Sequence, residues 1–454
     1  MGTIGEREDG GASRAALAGF REAFYGCLSG WADALFELTD AVLCGPASVG
    51  SVPSLSLEPV FRRSHGSLYK SLASGGIDAE ALRAALVTHR PAGWPLVFAI
   101  DASTWDRCDA ETSPERGFYY SASRHSADQP IVAGWSYQWI AGLSWAPDSW
   151  TAPLDALRIP PGADTVATTI AQVGELVGRL PDARAVPLFV FDAGYDPIAL
   201  GAGLAQARAA ILVRIRSDRV FYPDPVPAAV GTVGRPRRHG KRFACADPAG
   251  RLEPDAALTT HDPRYGGVRV EAWHGLHPKL QNRGRWAGTH APIVRGSVIR
   301  VQVEHLPKAT ARAVKTLWLW WSGPGRPDLD VCWRAYLRRF DLEHTYRFAK
   351  GTLGWTTPAL RTPEQADRWT WLVVAAYTQL RLARGLVADD HLPWQRPCDP
   401  ARLTPSRVRR GFPRLRAAIG TPASPPKFHT AGPGRPKGTR RPPRTRYPAV
   451  KRAA

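Results

Sequence analysis

Leu96-Val97-Phe98-Ala99-Ile100-Asp101 and Val186-Pro187-Leu188-Phe189-Val190-Phe191-Asp192 decide how this chain is read. Each is a short, nearly continuous apolar run, as in a buried strand, and each closes on an aspartate. Between and after them the pattern alternates. Trp135–Trp145 supplies one or two further strands, and residues 164–179 carry a helical pattern. Gly194-Tyr195-Asp196-Pro197 turns the chain, 197–209 reads as a helix and Ala210–Arg216 as a strand. Strand–helix alternation of this kind predicts an α/β sheet. In open α/β sheets, sites form beyond the carboxyl ends of the strands. If the two strands are neighbours, Asp101 and Asp192 face one another. Carboxylates that close repel unless a cation lies between them, and hard divalent ions prefer such oxygen ligands. Strand-end aspartates also serve as plain caps of the next turn or helix, and taken singly each fits that role better.

Working outward, residues 14–44 read as helical, with Leu17, Phe20, Phe24, Trp31, Leu35, Leu38 and Val42 at roughly helical spacing and Gly45-Pro46 as the stop. A short helix is expected over 79–88, so 1–90 reads as a small helical domain. The α/β core resumes at 91–222. Residues 223–310 break the rhythm with Pro223, Pro225, Pro227 and Pro236, then change to period two at Ile299, Val301 and Val303. They read as a basic, β-rich insertion. The core returns at 311–390, with Leu317–Trp321 as a strand. A long helix is expected over 328–350, and a second from the capping box Thr362-Pro363-Glu364-Gln365 to about Leu386. After Pro393 order is expected to fade, so 391–454 reads as a basic, mostly disordered tail.

The helix at 328–350 gathers unusual side chains. On a wheel of about 100° per residue, Tyr336, Arg339, Glu343 and Lys350 fall within about 60°. Trp333, Leu337, Phe340 and Phe348 form an apolar stripe beside them. Docked by that stripe, the helix would present one carboxylate flanked by two cations and a phenol. A carboxylate can complete a metal site, and cations clamp phosphate oxygens. The plainer alternative is a solvated helix with an Arg339–Glu343 ion pair.

The charge points to a polyanionic partner. The net charge is +20, and arginine outnumbers lysine 51 to 9. Residues 401–454 hold fifteen Lys/Arg and no acid, and 223–310 are seven positive charges in excess. Such blocks favour nucleic acid. Arg237, Arg238 and Lys241 in the insertion, with Arg435 and Lys437 in the tail, are the candidate phosphate-binding residues. Apolar residues make up 44% of the chain, enough to bury a sizeable core, yet no apolar run reaches the ~18 residues of a membrane helix. The acidic, polar start does not read as a secretory signal, and the six cysteines form no CxxC pair. A cytoplasmic, nucleoid-associated protein is expected.

The spacing Tyr336–x2–Arg339–x3–Glu343–x6–Lys350, after Asp101 in FAIDAS and Asp192 in VFDAGYD, resembles one large branch of bacterial insertion-sequence transposases. These are DDE-type enzymes. The resemblance covers roughly residues 91–386. It implies an RNase H-like core interrupted by the β-rich insertion, with the N-terminal helical domain before it. It implies catalytic, metal-binding Asp101, Asp192 and Glu343, with Tyr336, Arg339 and Lys350 gripping DNA phosphates. The cofactor implied is a pair of Mg²⁺ ions, with Mn²⁺ as a substitute. The partners implied are double-stranded DNA with terminal inverted repeats, target DNA, and a second copy of the chain in a homodimeric synaptic complex. The activity implied is cutting and joining of DNA at the ends of an insertion sequence, commonly through a DNA hairpin. Gly434-Arg435-Pro436 is similar to the core of minor-groove AT-hooks, although a generic basic tail explains it better. Trp355 suits stacking on an extruded base, but a core position explains it better. Two other functions compete: a catalytically inactive, transposase-derived DNA-binding protein, and a carboxylate-pair hydrolase acting on sugars. The second leaves the basic blocks and Lys350 unexplained.

Overall fold

The computed structural model describes residues 4–121, 130–227, 234, 237–248, 252–279, 284–289, 291–306, 315–427, 436–440 and 443–450. The chain divides into two units, the first formed by Met1–Trp94, Asp101–Ala163 and Asp341–Ala454, the second by Pro95–Ile100 and Asp164–Phe340. The strand Val97–Asp106 passes from one to the other at Asp101.

In the first unit the helix Pro363–Ala383 is the hub. Thr362 accepts the N–H of Gln365, whose side chain accepts the N–H of Thr362 in return, and Pro363 fills the first turn. The helix is buried on nearly every side from Trp369 to Leu380, beyond the single apolar face its sequence suggested. It packs against the helices Ile4–Gly26, Ala32–Cys44 and Pro405–Ile419 and the strand Ala152–Ile159. The helix expected over 14–44 is two helices. Gly30 and Trp31 both stand in the left-handed region, with φ of 55° and 60°, which a right-handed helix cannot continue through. Ile131–Gly142 is the central strand here, antiparallel to Gly117–Tyr120 and to Ala152–Ile159.

Among the described residues, regular structure continues after Pro393. The helix Pro405–Ile419 forms with Pro405 in its first turn, where a missing N–H costs nothing, and Pro413 in its interior. Val408 and Phe412 are buried, Arg409 donates to the carbonyl of Val42, and Arg416 joins Arg21 on the buried Asp40 carboxylate. Beyond it, Arg62 and Arg63 donate to the carbonyls of Ala423 and Ser424. Further on, Tyr447 and Val450 donate backbone N–H groups to Glu111 and Arg116.

The second unit is a large mixed sheet. Phe243–Ala244, Val220–Tyr222, Gly266–Pro278, Gly296–Val303, Thr316–Ser322, Ala210–Ile215, Leu188–Phe191 and the start of Val97–Asp106 follow one another in that order, and Ala256–Asp262 pairs with Gly266–Pro278. The last three strands are parallel, with Val97–Ala99 opposite Leu188–Val190 and Leu188–Phe191 opposite Ala210–Val213. The remaining pairs are antiparallel. The period-two pattern is a strand: Ile299, Val301 and Val303 are buried while Arg300 and Gln302 are only half-buried. Trp273, Val298, Trp318 and Trp320 form the centre of one apolar cluster. The helix Thr165–Arg179 is capped by Asp164, and Pro197–Gly203 is shorter than its sequence suggested.

The helix expected over 328–350 is two, Leu329–Arg338 and Phe340–Gly351, parted at Arg339. Trp333 is buried as expected, but Phe340 is 43% exposed and Phe348 half-buried. The second helix instead buries Asp341, Leu342, Thr345, Tyr346 and Ala349. All six cysteines are free, and no described helix is long and apolar enough to cross a membrane.

Candidate active site

In the first unit, Asp101 lies within its strand and not at the end of it, because the strand continues five residues to Asp106. Asp101 Oδ1 accepts the N–H of Ala102 at 2.8 Å, and the Asp101 carbonyl accepts the Tyr346 hydroxyl at 2.6 Å. One helical turn further on, Lys350 Nζ donates to the carbonyl of Thr104 at 2.9 Å. Two bonds thus tie the strand of Asp101 to the helix of Glu343. Glu343, Tyr346 and Lys350 are three and seven residues apart, which sets them within about 60° on one helix face. The first unit therefore brings Asp101 and Glu343 onto elements that are directly bonded, with Glu343 half-buried on the bonded face.

Aromatic rings hold this tie rigid. Tyr346 stacks on Trp355 at 5.7 Å and meets Trp139 edge-on at 5.3 Å, and the Lys350 ammonium lies 5.6 Å from the centre of the Trp355 ring. Burial pushes the Lys350 ammonium below its ordinary range, with Asp106 acting in the opposite sense. Trp355 is fully buried and donates to Thr370, so it is a core residue.

In the second unit, Asp192 follows the strand Leu188–Phe191, and its Oδ1 accepts the N–H of Gly194 at 2.8 Å. The helix-capping role falls to Asp196, which accepts the N–H groups of Ile198 and Ala199. Tyr336 is buried on the helix Leu329–Arg338, and burial raises its phenol above the ordinary value. Arg339 and Arg214 act to lower it and Asp192 to raise it, so the four are electrostatic neighbours. The Arg339 guanidinium lies 5.9 Å from the Tyr336 ring centre. Arg214 was not singled out from the sequence; its only signal there is a cation inside the apolar run Ile211-Leu212-Val213-Arg214-Ile215. Just past Asp192 opens a cleft of about 290 Å³, lined among others by Tyr195, Arg219, Lys279 and Trp286.

The expected residues are thus divided. Asp101, Glu343 and Lys350 belong to the first unit, and Asp192, Tyr336 and Arg339 to the second. Arg237, Arg238 and Lys241 are exposed in the second unit and Lys437 is exposed in the first. Arg435 lies outside the described residues. Within either unit, among the described residues, no three His, Cys, Asp or Glu side chains are gathered closely enough to hold a metal ion. The donor chemistry of Asp101, Asp192 and Glu343 nevertheless suits a hard divalent cation, being oxygen throughout with no thiolate or imidazole.

Residues 23–279 match the family model described as DDE superfamily endonuclease. That is more than half of the chain, and the chain belongs to this family. The matched span holds Asp101 and Asp192 and ends before Glu343. Membership supports a nuclease or transposase-like activity, of the kind that typically uses divalent metal ions. No curated protein matches the chain.

Proposed function

We propose that this chain is a DNA transposase of the Tyr-x2-Arg-x3-Glu-x6-Lys branch. It cuts and joins DNA at the ends of an insertion sequence and moves the element by cut-and-paste transposition. The observation that carries the reading is the order of Asp101, Asp192 and Glu343 in a DDE endonuclease, the strand segments that lead to the two aspartates, Val97–Ala99 and Leu188–Val190, pairing in parallel. Each aspartate stands two residues beyond Ala99 or Val190, the last paired positions of that ladder.

Asp101, Asp192 and Glu343 would hold two Mg²⁺ ions, for which Mn²⁺ can substitute. Bound there, such ions activate an oxygen nucleophile and stabilise the leaving 3′ oxygen in phosphoryl transfer. The chain's own contribution is placement. Tyr346 and Lys350 fix the Glu343 helix against the Asp101 strand, and Arg339 and Tyr336 hold phosphate oxygens beside the scissile bond. Lys350, engaged with Thr104, serves the strand as well as the DNA. The cleft past Asp192 offers two rings and two cations, chemistry that suits a nucleotide next to the cut. The exposed cations Arg237, Arg238, Lys241 and Lys437, with Arg435, neutralise flanking phosphates. Two ends must be paired, so a homodimer on terminal inverted repeats and target DNA is the working assembly.

The test is strand cleavage of duplex DNA carrying the short inverted repeats that flank the gene, with Mg²⁺ or Mn²⁺ added. Wild type should nick at the repeat end and join that end to a second duplex. Binding without any cleavage would refute the enzyme and leave a non-catalytic DNA-binding descendant.

A further inference from the structure

Arg214 is the one exposed residue of the strand Ala210–Ile215. That strand lies parallel to Leu188–Phe191 with Val213 opposite Phe191, so Arg214 follows on its strand as Asp192 follows on the neighbouring one. Its register partner on the other side, Leu319, shares its face and is fully buried, while Arg214 itself is exposed. Its guanidinium lies within hydrogen-bonding reach of the Tyr336 phenol, whose charged neighbours also include Arg339 and Asp192. Among the described residues the Arg214 guanidinium makes no ion pair with a carboxylate. This sets it apart from Arg21, Arg83 and Arg158, each held by an aspartate.

A guanidinium with no carboxylate ion pair, at the carboxyl end of a strand and beside the aspartate proposed to bind metal, is placed for an anion. We propose that Arg214 is a catalytic residue: its guanidinium holds a non-bridging oxygen of the scissile phosphodiester. This rests on the reading of the chain as a DNA-cutting DDE enzyme. In the step it serves, the oxygen of water forms a bond to phosphorus and the bond from phosphorus to the 3′ oxygen breaks. The water loses a proton to solvent and the 3′ oxygen gains one, giving a 5′-phosphate and a 3′-hydroxyl. Arg214 exchanges no proton. It neutralises charge on the non-bridging oxygens, and its planar fork does so in a geometry that a lysine ammonium does not reproduce.

The experiment compares wild type, Arg214→Ala and Arg214→Lys in single-turnover cleavage of a duplex bearing the flanking inverted repeat, with Mn²⁺. A second duplex carries a methylphosphonate, which lacks the charged non-bridging oxygen, at the scissile position. Arg214→Ala should bind the first duplex within twofold of wild type and cut it about 100-fold more slowly. Arg214→Lys should recover only part of that loss. On the methylphosphonate duplex wild type and Arg214→Ala should cut at the same, slow rate. Equal rates on the natural duplex overturn the proposal. So does a 100-fold penalty that persists on the methylphosphonate, since that assigns Arg214 to supporting Tyr336. If Arg214→Ala does not fold, Arg214→Gln carries the same comparison. A wild type that binds but never cuts refutes the proposed function, and Arg214's role with it, a result distinct from an active wild type with an unaffected variant.

Discussion

Tyr346→Phe removes one hydroxyl and keeps the ring that stacks on Trp355 and meets Trp139 edge-on. The hydroxyl donates to the Asp101 carbonyl at 2.6 Å. A buried hydrogen bond of this kind contributes about 1 kcal/mol net, and an acceptor left without its donor raises the cost to about 2 kcal/mol. For a unit of this size the melting midpoint should fall by roughly 2–5 °C. The larger effect should be on chemistry, because the bond connects the strand of Asp101 to the helix of Glu343. If the same 1–2 kcal/mol is lost from the working arrangement, cleavage slows by about 5–30-fold. The assay is single-turnover cutting of the repeat-bearing duplex with Mn²⁺, paired with thermal melting and with anisotropy for DNA affinity. Affinity should be unchanged, since the hydroxyl is spent inside the protein. A variant that melts and cuts like wild type would refute the idea that this bond sets the geometry of the two carboxylates.

Other perturbations test neighbouring parts of the account. Lys350 has its ammonium pushed down by burial, so at neutral pH the folded state bears the cost of a buried charge, and stability should rise as pH climbs through the folded value towards the ordinary lysine value. Lys350→Met should flatten that alkaline rise in a pH series of chemical denaturation; an unaltered slope would contradict it. Thr362→Ala removes half of the capping box on the central helix and should cost about 1 kcal/mol, read as a lower denaturation midpoint at unchanged slope. Removing residues 428–454 deletes eight Lys/Arg and should weaken DNA binding, lowering its logarithmic salt slope by up to about 0.9 for each phosphate that is no longer neutralised. The cut must follow Lys427, because Ala423 and Ser424 are bonded to Arg62 and Arg63, and an identical salt slope in the truncated chain would deny the tail a role.

The alternation of strands and helices was legible because buried parallel strands leave unbroken apolar runs, as at Leu188–Phe191, and because Thr362-Pro363-Glu364-Gln365 is a local signal that needs no tertiary context. The break at Arg339 was not. No glycine or proline interrupts 328–350, and an ideal wheel laid over both halves put Phe340 in the apolar stripe where the fold exposes it. Gly30 hinted at the break in the first long pattern, but the left-handed Trp31 beside it carries no sequence signature. The helix Pro405–Ile419 was hidden by Pro405, Gly411 and Pro413, which argue against a helix locally. Long-range partners override them, with Arg409 on the Val42 carbonyl and Arg416 on Asp40. At the site, spacing singled out Glu343 and Lys350, but it cannot say that Lys350 is engaged by Thr104. Nor could it single out Arg214, whose meaning comes only from the strand beside it.

Asp101, Asp192 and Glu343 are proposed to hold together the ions that cut DNA. Asp101→Asn, Asp192→Asn and Glu343→Gln each keep the size of the side chain and remove its charge. Measured side by side on the repeat-bearing duplex with Mn²⁺, each should lose cleavage by at least about a thousandfold while binding the duplex within twofold of wild type. Any one of the three cutting at the wild-type rate would show that its carboxylate is not part of the catalytic set.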